Sequence, residues 1–247
     1  MSALLESIYG IALDAGKAIM DRYHANVQVE EKADSSPVTE ADIAANTIIV
    51  ERLMSLTPDI PILSEESAHT PWPERQHWSS FWLVDPLDGT KEFLRQNGEF
   101  TVNIALIKEG KPVLAIVHAP ALDKSWLADG KNAWLQTKAG RDQIKVRPAT
   151  VPTVVGSRSH PSQDMASYLE QLGEYKMTEV GSSLKFCLVA EGRAQYYPRL
   201  GPTMMWDTAA GQCVAESAGA TVNQLTGEPL YYHREDLLNP FFIVAID

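Results

Sequence analysis

Between Thr101 and Val146 the apolar residues leave helical spacing and fall into five short β runs: Thr101 to Ile107, Val113 to His118, Ser125 to Ala128, Ala133 to Gln136 and Ile144 to Val146. Glu109-Gly110, Pro120 and Asp129-Gly130 punctuate them, and runs of this length at these intervals read as an antiparallel meander. The flanking segments are patterned to cover such a sheet. Leu4, Ile8, Ile11, Ala12, Ala15, Ala18 and Ile19 recur at steps of three and four and predict an amphipathic helix up to about Tyr23. A polar loop follows from Glu30 to Pro37, after which Thr39 opens a second helix carrying Ile43, Ile48, Ile49 and Leu53, closed by Pro58. Pro61 to Ser64 and Phe81 to Val84 read as short buried strands.

Past Pro148 and Pro152 the chain alternates again: strand Thr153 to Gly156, helix Ser162 to Leu172, helix Ser183 to Glu191 stopped by Gly192, strand Ala194 to Tyr197, helix Thr208 to Ala218 stopped by Gly219, and strand Phe241 to Ile246. Helices layered on sheets place the chain in the α/β (α+β) class, in two halves, residues 1–148 and 149–247. At 247 residues, roughly 70 to 75% of the unfolded surface is buried on folding, enough for a core without staples.

Composition narrows the function. Lys and Arg number 21 against 32 Asp and Glu, a net charge of −11. A surface of that sign repels phosphate backbones and anionic lipid headgroups, which argues against a nucleic-acid polymer as partner. Cys187 and Cys213 are the two cysteines, without a C-x-x-C pair and at helical spacing among apolar neighbours, so buried inert thiols are expected. Glu6 interrupts the start too early for a signal-peptide core, and no stretch of about 18 apolar residues occurs. The expected address is the cytoplasm, with room for peripheral attachment to the cytoplasmic face of the inner membrane. Oligomeric state is left open.

Chemistry concentrates in Asp85-Pro86-Leu87-Asp88-Gly89-Thr90, directly after the strand Phe81 to Val84. The residue before proline is pushed to extended geometry, so Asp85 should stand at the carboxyl end of its strand, where open sheets place ligands. Pro86 and Gly89 bracket a tight turn that presents Asp88 beside Asp85 and frees the Leu87 carbonyl. Two carboxylates and a carbonyl are hard oxygen donors that suit Mg²⁺, whereas zinc would want His or Cys. An EF-hand fails because its twelfth position falls on Gln96. Glu65 also follows a strand. Asp207 precedes a small-residue helix and Asp42 follows three residues after Thr39 in Thr39-Glu40-Ala41-Asp42. Each has a plain alternative: a solvated turn for the Asp-Gly pair, a charged turn for Glu65, a helix N-cap for Asp207, a capping box for Asp42. Gly181-Ser182-Ser183 before a helix is a candidate second anion site, with charge from Lys185 and Arg199; helix capping and surface solvation are the alternatives. The tryptophans Trp72, Trp78, Trp82, Trp126 and Trp134 follow no stacking period.

The runs DPLDGT, SEE at Ser64-Glu65-Glu66 and WDTAAG at Trp206 onward together resemble the signatures of the inositol monophosphatase superfamily of Mg²⁺-dependent, lithium-sensitive phosphomonoesterases. KADSSPVTEADIAA, NGEFTVNIALI, GSSLKFCLVAEG and YPR are similar, in chain order, to its bacterial 3'(2'),5'-bisphosphate nucleotidase branch. The resemblance implies a layered α/β/α/β/α sandwich and two or three Mg²⁺ ions per site. Glu65, Asp85 and the Leu87 carbonyl would hold one ion, Asp85, Asp88 and Asp207 a second, and Thr90, hydrogen-bonded to Asp42, would orient the attacking water. Asp42, Thr90 and Glu65 are thus the catalytic candidates. Substrate contacts are expected from Glu65, Leu87, Asp88, Gly89, Thr90, Ser157, His160, Ser182, Ser183, Lys185, Arg199 and Asp207, with Arg158 and His160 resembling a base-contacting loop. The implied activity is hydrolysis of adenosine 3',5'-bisphosphate (PAP) to AMP, or of its sulfated analogue PAPS to APS, in sulfur metabolism. Two anion sites fit a bisphosphate better than an inositol monophosphate. The rivals are an inositol monophosphatase or fructose-1,6-bisphosphatase activity on the same fold, and a non-catalytic nucleotide- or metal-binding regulator.

Overall fold

The computed structural model describes residues 2–23, 29–31, 37–67, 69–157, 169–170 and 172–246. Ser2 accepts a hydrogen bond from the Leu5 amide at 3.2 Å and starts α1 (Ala3–Met20), which buries Leu5, Ile8, Ile11, Ala12, Ala15 and Ile19 on one face. The helix stops before Tyr23, whose ring packs on Phe93 and Phe100. Part of the expected polar loop is instead a small antiparallel hairpin, β1 (Val29–Glu31) with β2 (Pro37–Thr39). Thr39 then opens α2 (Glu40–Leu56) through a capping box in which the Asp42 side chain reaches back to the Thr39 amide.

The meander supplies five strands, the last at Gly140–Ile144 rather than at the expected Ile144 to Val146, of a seven-stranded sheet. Its order is β3 (Ile62–Ser64), β4 (Ser80–Asp88), β5 (Thr101–Lys108), β6 (Lys111–Ala119), β7 (Lys124–Ala128), β8 (Ala133–Thr137) and β9 (Gly140–Ile144). β3 runs parallel to β4 and every later pair is antiparallel, as the short connections require. The short α3 (Trp72–Arg75) separates β3 from β4, and α4 (Thr90–Leu94) follows β4, where a helix start after Asp88 is expected from the sequence; α3 was not predicted, because it is too short for a periodic signal.

A second sheet has the order β11 (Lys176–Val180), β10 (Thr153–Ser157), β12 (Tyr196–Arg199), β14 (Phe242–Ala245) and β13 (Thr221–Gln224), the first three parallel and the last two pairings antiparallel. Between the sheets run α5 (Leu184–Ala190) and α6 (Met205–Ser217). α1 and α2 cover the outer face of the first sheet in one apolar cluster. α5 and α6 press Leu184, Cys187, Met205, Ala209 and Cys213 against Leu63, Phe81, Ala105, Ala115 and Trp126 on its inner face, and Phe186, Val189 and Ala215 against the second sheet. A Cβ on Gly211 would lie 2.4 Å from the Phe186 ring, so glycine lets the two helices approach closely.

This is an α/β sandwich of helix and sheet layers. The strand expected at Ala194 to Tyr197 lies two residues later, the helix expected from Thr208 begins at Met205, and the helix expected over Ser162 to Leu172 falls largely outside the described residues. Both cysteines are free and buried, and burial pushes the Cys213 thiol up to about 12. No helix among the described residues is long and apolar enough to cross a membrane.

Candidate active site

β4 does not end at Asp85. The ladder with β5 pairs Asp85 with Asn103, skips, and resumes at Asp88 with Thr101, so Pro86 and Leu87 form a bulge. Proline has no amide to donate there, and the Leu87 amide donates to Asp85 Oδ1 at 3.0 Å. The bulge frees the Leu87 carbonyl from the ladder, and the Thr90 hydroxyl lies 3.5 Å from it. Gly89 turns the chain at φ +92°, a left-handed conformation that suits glycine, and starts α4.

Three segments then converge. Glu65, Asp85 and Asp207 each place a carboxylate oxygen within 4.8 Å of the others, although 142 residues separate the outer two in sequence (207 − 65). β3 delivers Glu65, whose amide bonds the Val84 carbonyl at 3.1 Å. Asp207 is the third residue of α6 rather than its N-cap: its Oδ2 accepts from the Met204 amide and the Thr203 hydroxyl, both at 2.8 Å. Asp88 Oδ2 accepts from Ser183 Oγ at 3.0 Å and Asn103 Nδ2 at 3.3 Å. Burial first, and then the repulsion of Glu65, Asp88 and Asp207, hold the Asp85 carboxyl well above the ordinary range. Burial and then the repulsion of Asp88 push Asp207 up to about 6, against the Met204 and Thr203 hydrogen bonds; Asp88 is raised by burial, offset by Lys185 and by the Ser183 and Asn103 hydrogen bonds.

These groups line a cleft of about 220 Å³, together with Leu87, Gly89, Thr90, Glu92, Ser157, Ser182, Lys185, Tyr197 and Arg199. Asp42 sits behind its wall, where Oδ1 accepts from Thr90 Oγ1 at 3.2 Å and Oδ2 from Thr39 Oγ1 at 2.6 Å. The capping box and a hydrogen bond to Thr90 are therefore roles of one side chain. Lys185 is not a solvated surface residue: it is 5% exposed, its Nζ donates to the Ser182 carbonyl at 2.6 Å, and burial lowers it to about 8. Ser183 does not line the cleft; it is buried, and its hydroxyl serves Asp88 and the Asp207 carbonyl. Arg158 and His160 lie outside the described residues. Sequence reading missed Thr203, Glu92 and Asn103. For Asn103 a signal was present, since an amide in the middle of Thr101 to Ile107 breaks an otherwise apolar run.

Among the described residues the cleft holds oxygen donors and no thiol or imidazole, and its carboxylates repel one another in a buried setting, the donor set and electrostatics that fit a hard divalent cation. The inositol monophosphatase family model matches residues 1–240. The chain belongs to the inositol monophosphatase family. Within it, the chain is 55% identical over 246 residues to the 3'(2'),5'-bisphosphate nucleotidase CysQ of Escherichia coli K12, covering 98% of this chain and 100% of that one. Identity to the Salmonella typhimurium LT2 protein of the same name is 56% over equal coverage. The crystal structure of CysQ from Bacteroides thetaiotaomicron, described as a bacterial member of the inositol monophosphatase family, superposes with a TM-score of 0.88 at 38% identity, over 99% of this chain and 97% of that one. The family resemblance carried by the DPLDGT, SEE and WDTAAG runs is thereby confirmed.

Proposed function

We propose that the chain is a Mg²⁺-dependent 3'(2'),5'-bisphosphate nucleotidase that hydrolyses adenosine 3',5'-bisphosphate to AMP and phosphate and accepts the 5'-phosphosulfate analogue, acting in the cytoplasm. The observation that carries this reading is the meeting of Glu65, Asp85 and Asp207 within 4.8 Å in a cleft that also presents Lys185 and Arg199. Near identity of length and over half of all residues shared with curated nucleotidases support the substrate.

Glu65, Asp85, Asp88, Asp207 and the Leu87 carbonyl would hold two or three Mg²⁺ ions. When bound, such ions offset the repulsion between the carboxylates, lower the pKa of water and draw charge from the phosphoryl oxygens. Thr90 donates its proton to Asp42, so the lone pairs of its oxygen are left to accept from the attacking water and to aim it. Asp42 keeps that hydroxyl oriented because Thr39 pins its second oxygen. Gly89 and Thr90 offer backbone amides to the phosphate being cleaved.

The second phosphate falls to the wall formed by Ser182, Lys185 and Arg199. Ser182 Oγ and Arg199 Nε are buried without a partner among the described residues, and buried donors of this kind are costly unless a ligand takes them up. Lys185 adds positive charge beside them, and Ser157 stands at the carboxyl end of β10. An inositol monophosphate would leave this wall unused. Rates for adenosine 3',5'-bisphosphate, inositol 1-phosphate and fructose 1,6-bisphosphate, measured side by side with saturating Mg²⁺, test the assignment. The expected order puts the nucleotide first, ahead of the inositol ester in kcat/KM by at least about tenfold, equivalent to about 1.4 kcal/mol from the phosphate site that ester leaves unfilled; preference for the inositol ester would overturn it, and nucleotide binding without phosphate release would favour the regulator.

A further inference from the structure

Asn103 is fully buried on β5, opposite Asp85 in the strand register. Its amide nitrogen donates to Ser183 Oγ at 2.9 Å and to Asp88 Oδ2 at 3.3 Å, which uses both of its hydrogens. Its Oδ1 is buried with no partner among the described residues. An acceptor stranded in a core is destabilising, and a leucine of the same shape would carry no such burden. The amide is therefore explained by what its nitrogen does. Ser183, 80 residues away in sequence, is 1% exposed, and its oxygen lies 3.0 Å from Asp88 Oδ2 and 2.7 Å from the Asp207 main-chain carbonyl. A hydroxyl has one hydrogen. Two acceptors compete for it while Asn103 fixes the oxygen between them.

We propose that Asn103 and Ser183 act together as positioning residues, holding Asp88 of β4 and Asp207 of α6 at the separation a divalent cation requires. Whichever acceptor takes the single Ser183 proton, the hydroxyl ties the Asp88 carboxylate to the Asp207 main chain. The inference rests on reading Asp88 and Asp207 as cation ligands, and neither Asn103 nor Ser183 touches substrate in it.

Calorimetric titration of MgCl₂ into the full chain without nucleotide tests it, on the wild type, Asn103→Leu, Ser183→Ala, the double variant and Ser183→Thr. Asn103→Leu and Ser183→Ala should each weaken Mg²⁺ binding by about 10- to 100-fold, the range for residues that orient metal ligands. The double variant should lose about as much as one single variant rather than the product of both, since the two groups form one network. Ser183→Thr, which keeps the hydroxyl, should bind Mg²⁺ within a fewfold of wild type, and KM for the nucleotide at saturating Mg²⁺ should stay within about twofold in all. Wild-type Mg²⁺ affinity in Ser183→Ala, a change of one atom that leaves folding intact, would overturn the proposal, as would multiplicative losses in the double variant. A wild-type chain that binds no Mg²⁺ would instead remove the ligand assignment beneath it.

Discussion

Replacing Asp88 by asparagine preserves its volume and removes a negative charge that faces the cleft beside Asp85 and Asp207. Turnover by Asp88→Asn should fall by at least about 100-fold even at saturating Mg²⁺, more than the loss seen when only a residue behind a ligand is changed, with the circular dichroism of the wild type retained; near-normal hydrolysis would remove Asp88 from the machinery. That Asp85 and Asp88 face one cleft was legible because proline and glycine dictate the local turn within six consecutive residues. The roles of Asn103 and Ser183 were not legible, because the bonds that define them span 15 and 95 residues to Asp88 and depend on which strands lie side by side. Burial of Lys185 escaped notice for a related reason: a charged residue near a helix start reads as solvated until the second sheet and Tyr197, whose ring lies 5.6 Å from its Nζ, are seen to cover it.

At the level of elements, α1 reaches the first sheet through Gly16, where a Cβ would lie 2.5 Å from the His118 ring of β6. His118 is 4% exposed; its Nδ1 lies 2.8 Å from Ser125 Oγ, and burial lowers its pKa to about 4. The unfolded chain, with an ordinary histidine near 6.5, takes up the proton first on acidification. The neutral ring thus stabilises the fold fully above about pH 6.5 and progressively less toward pH 4, a loss of up to about 3 kcal/mol. His118→Gln should unfold in urea with a flatter dependence on pH between 6.5 and 4.5 than the wild type; parallel slopes would mean that the ring is not the titrating group. The meander that carries His118 was readable from its apolar runs and turns. β11 and β13 were not, since Lys176–Val180 buries none of its residues and Thr221–Gln224 only Val222, and strands without a buried face leave no alternation to read.

For the whole molecule, the apolar cluster around α6 draws Phe81, Ala115 and Trp126 from the first sheet and Leu184, Met205, Cys213 and Tyr232 from beyond residue 150. The two halves inferred from composition and punctuation thus share a core, a fact that no local pattern encodes. Calorimetry should show one cooperative transition, raised by Mg²⁺ and lowered again by EDTA through mass action. A fragment of residues 1–148 would expose the inner face of the first sheet and should not fold by itself; two separate transitions, or a stable fragment, would show the halves to be independent.

β3 is three residues long, lies at the margin of its sheet and, among the described residues, pairs only with β4. Short margins are where proteins open most often without unfolding globally, and this one carries Glu65. Were this margin to open locally, one carboxylate would leave the cluster while Asp85, flanked by strands on both sides, kept its place. Amide hydrogens of residues 63–65 should exchange with deuterium faster than those of β5, and Mg²⁺ should slow the former while leaving the latter unchanged.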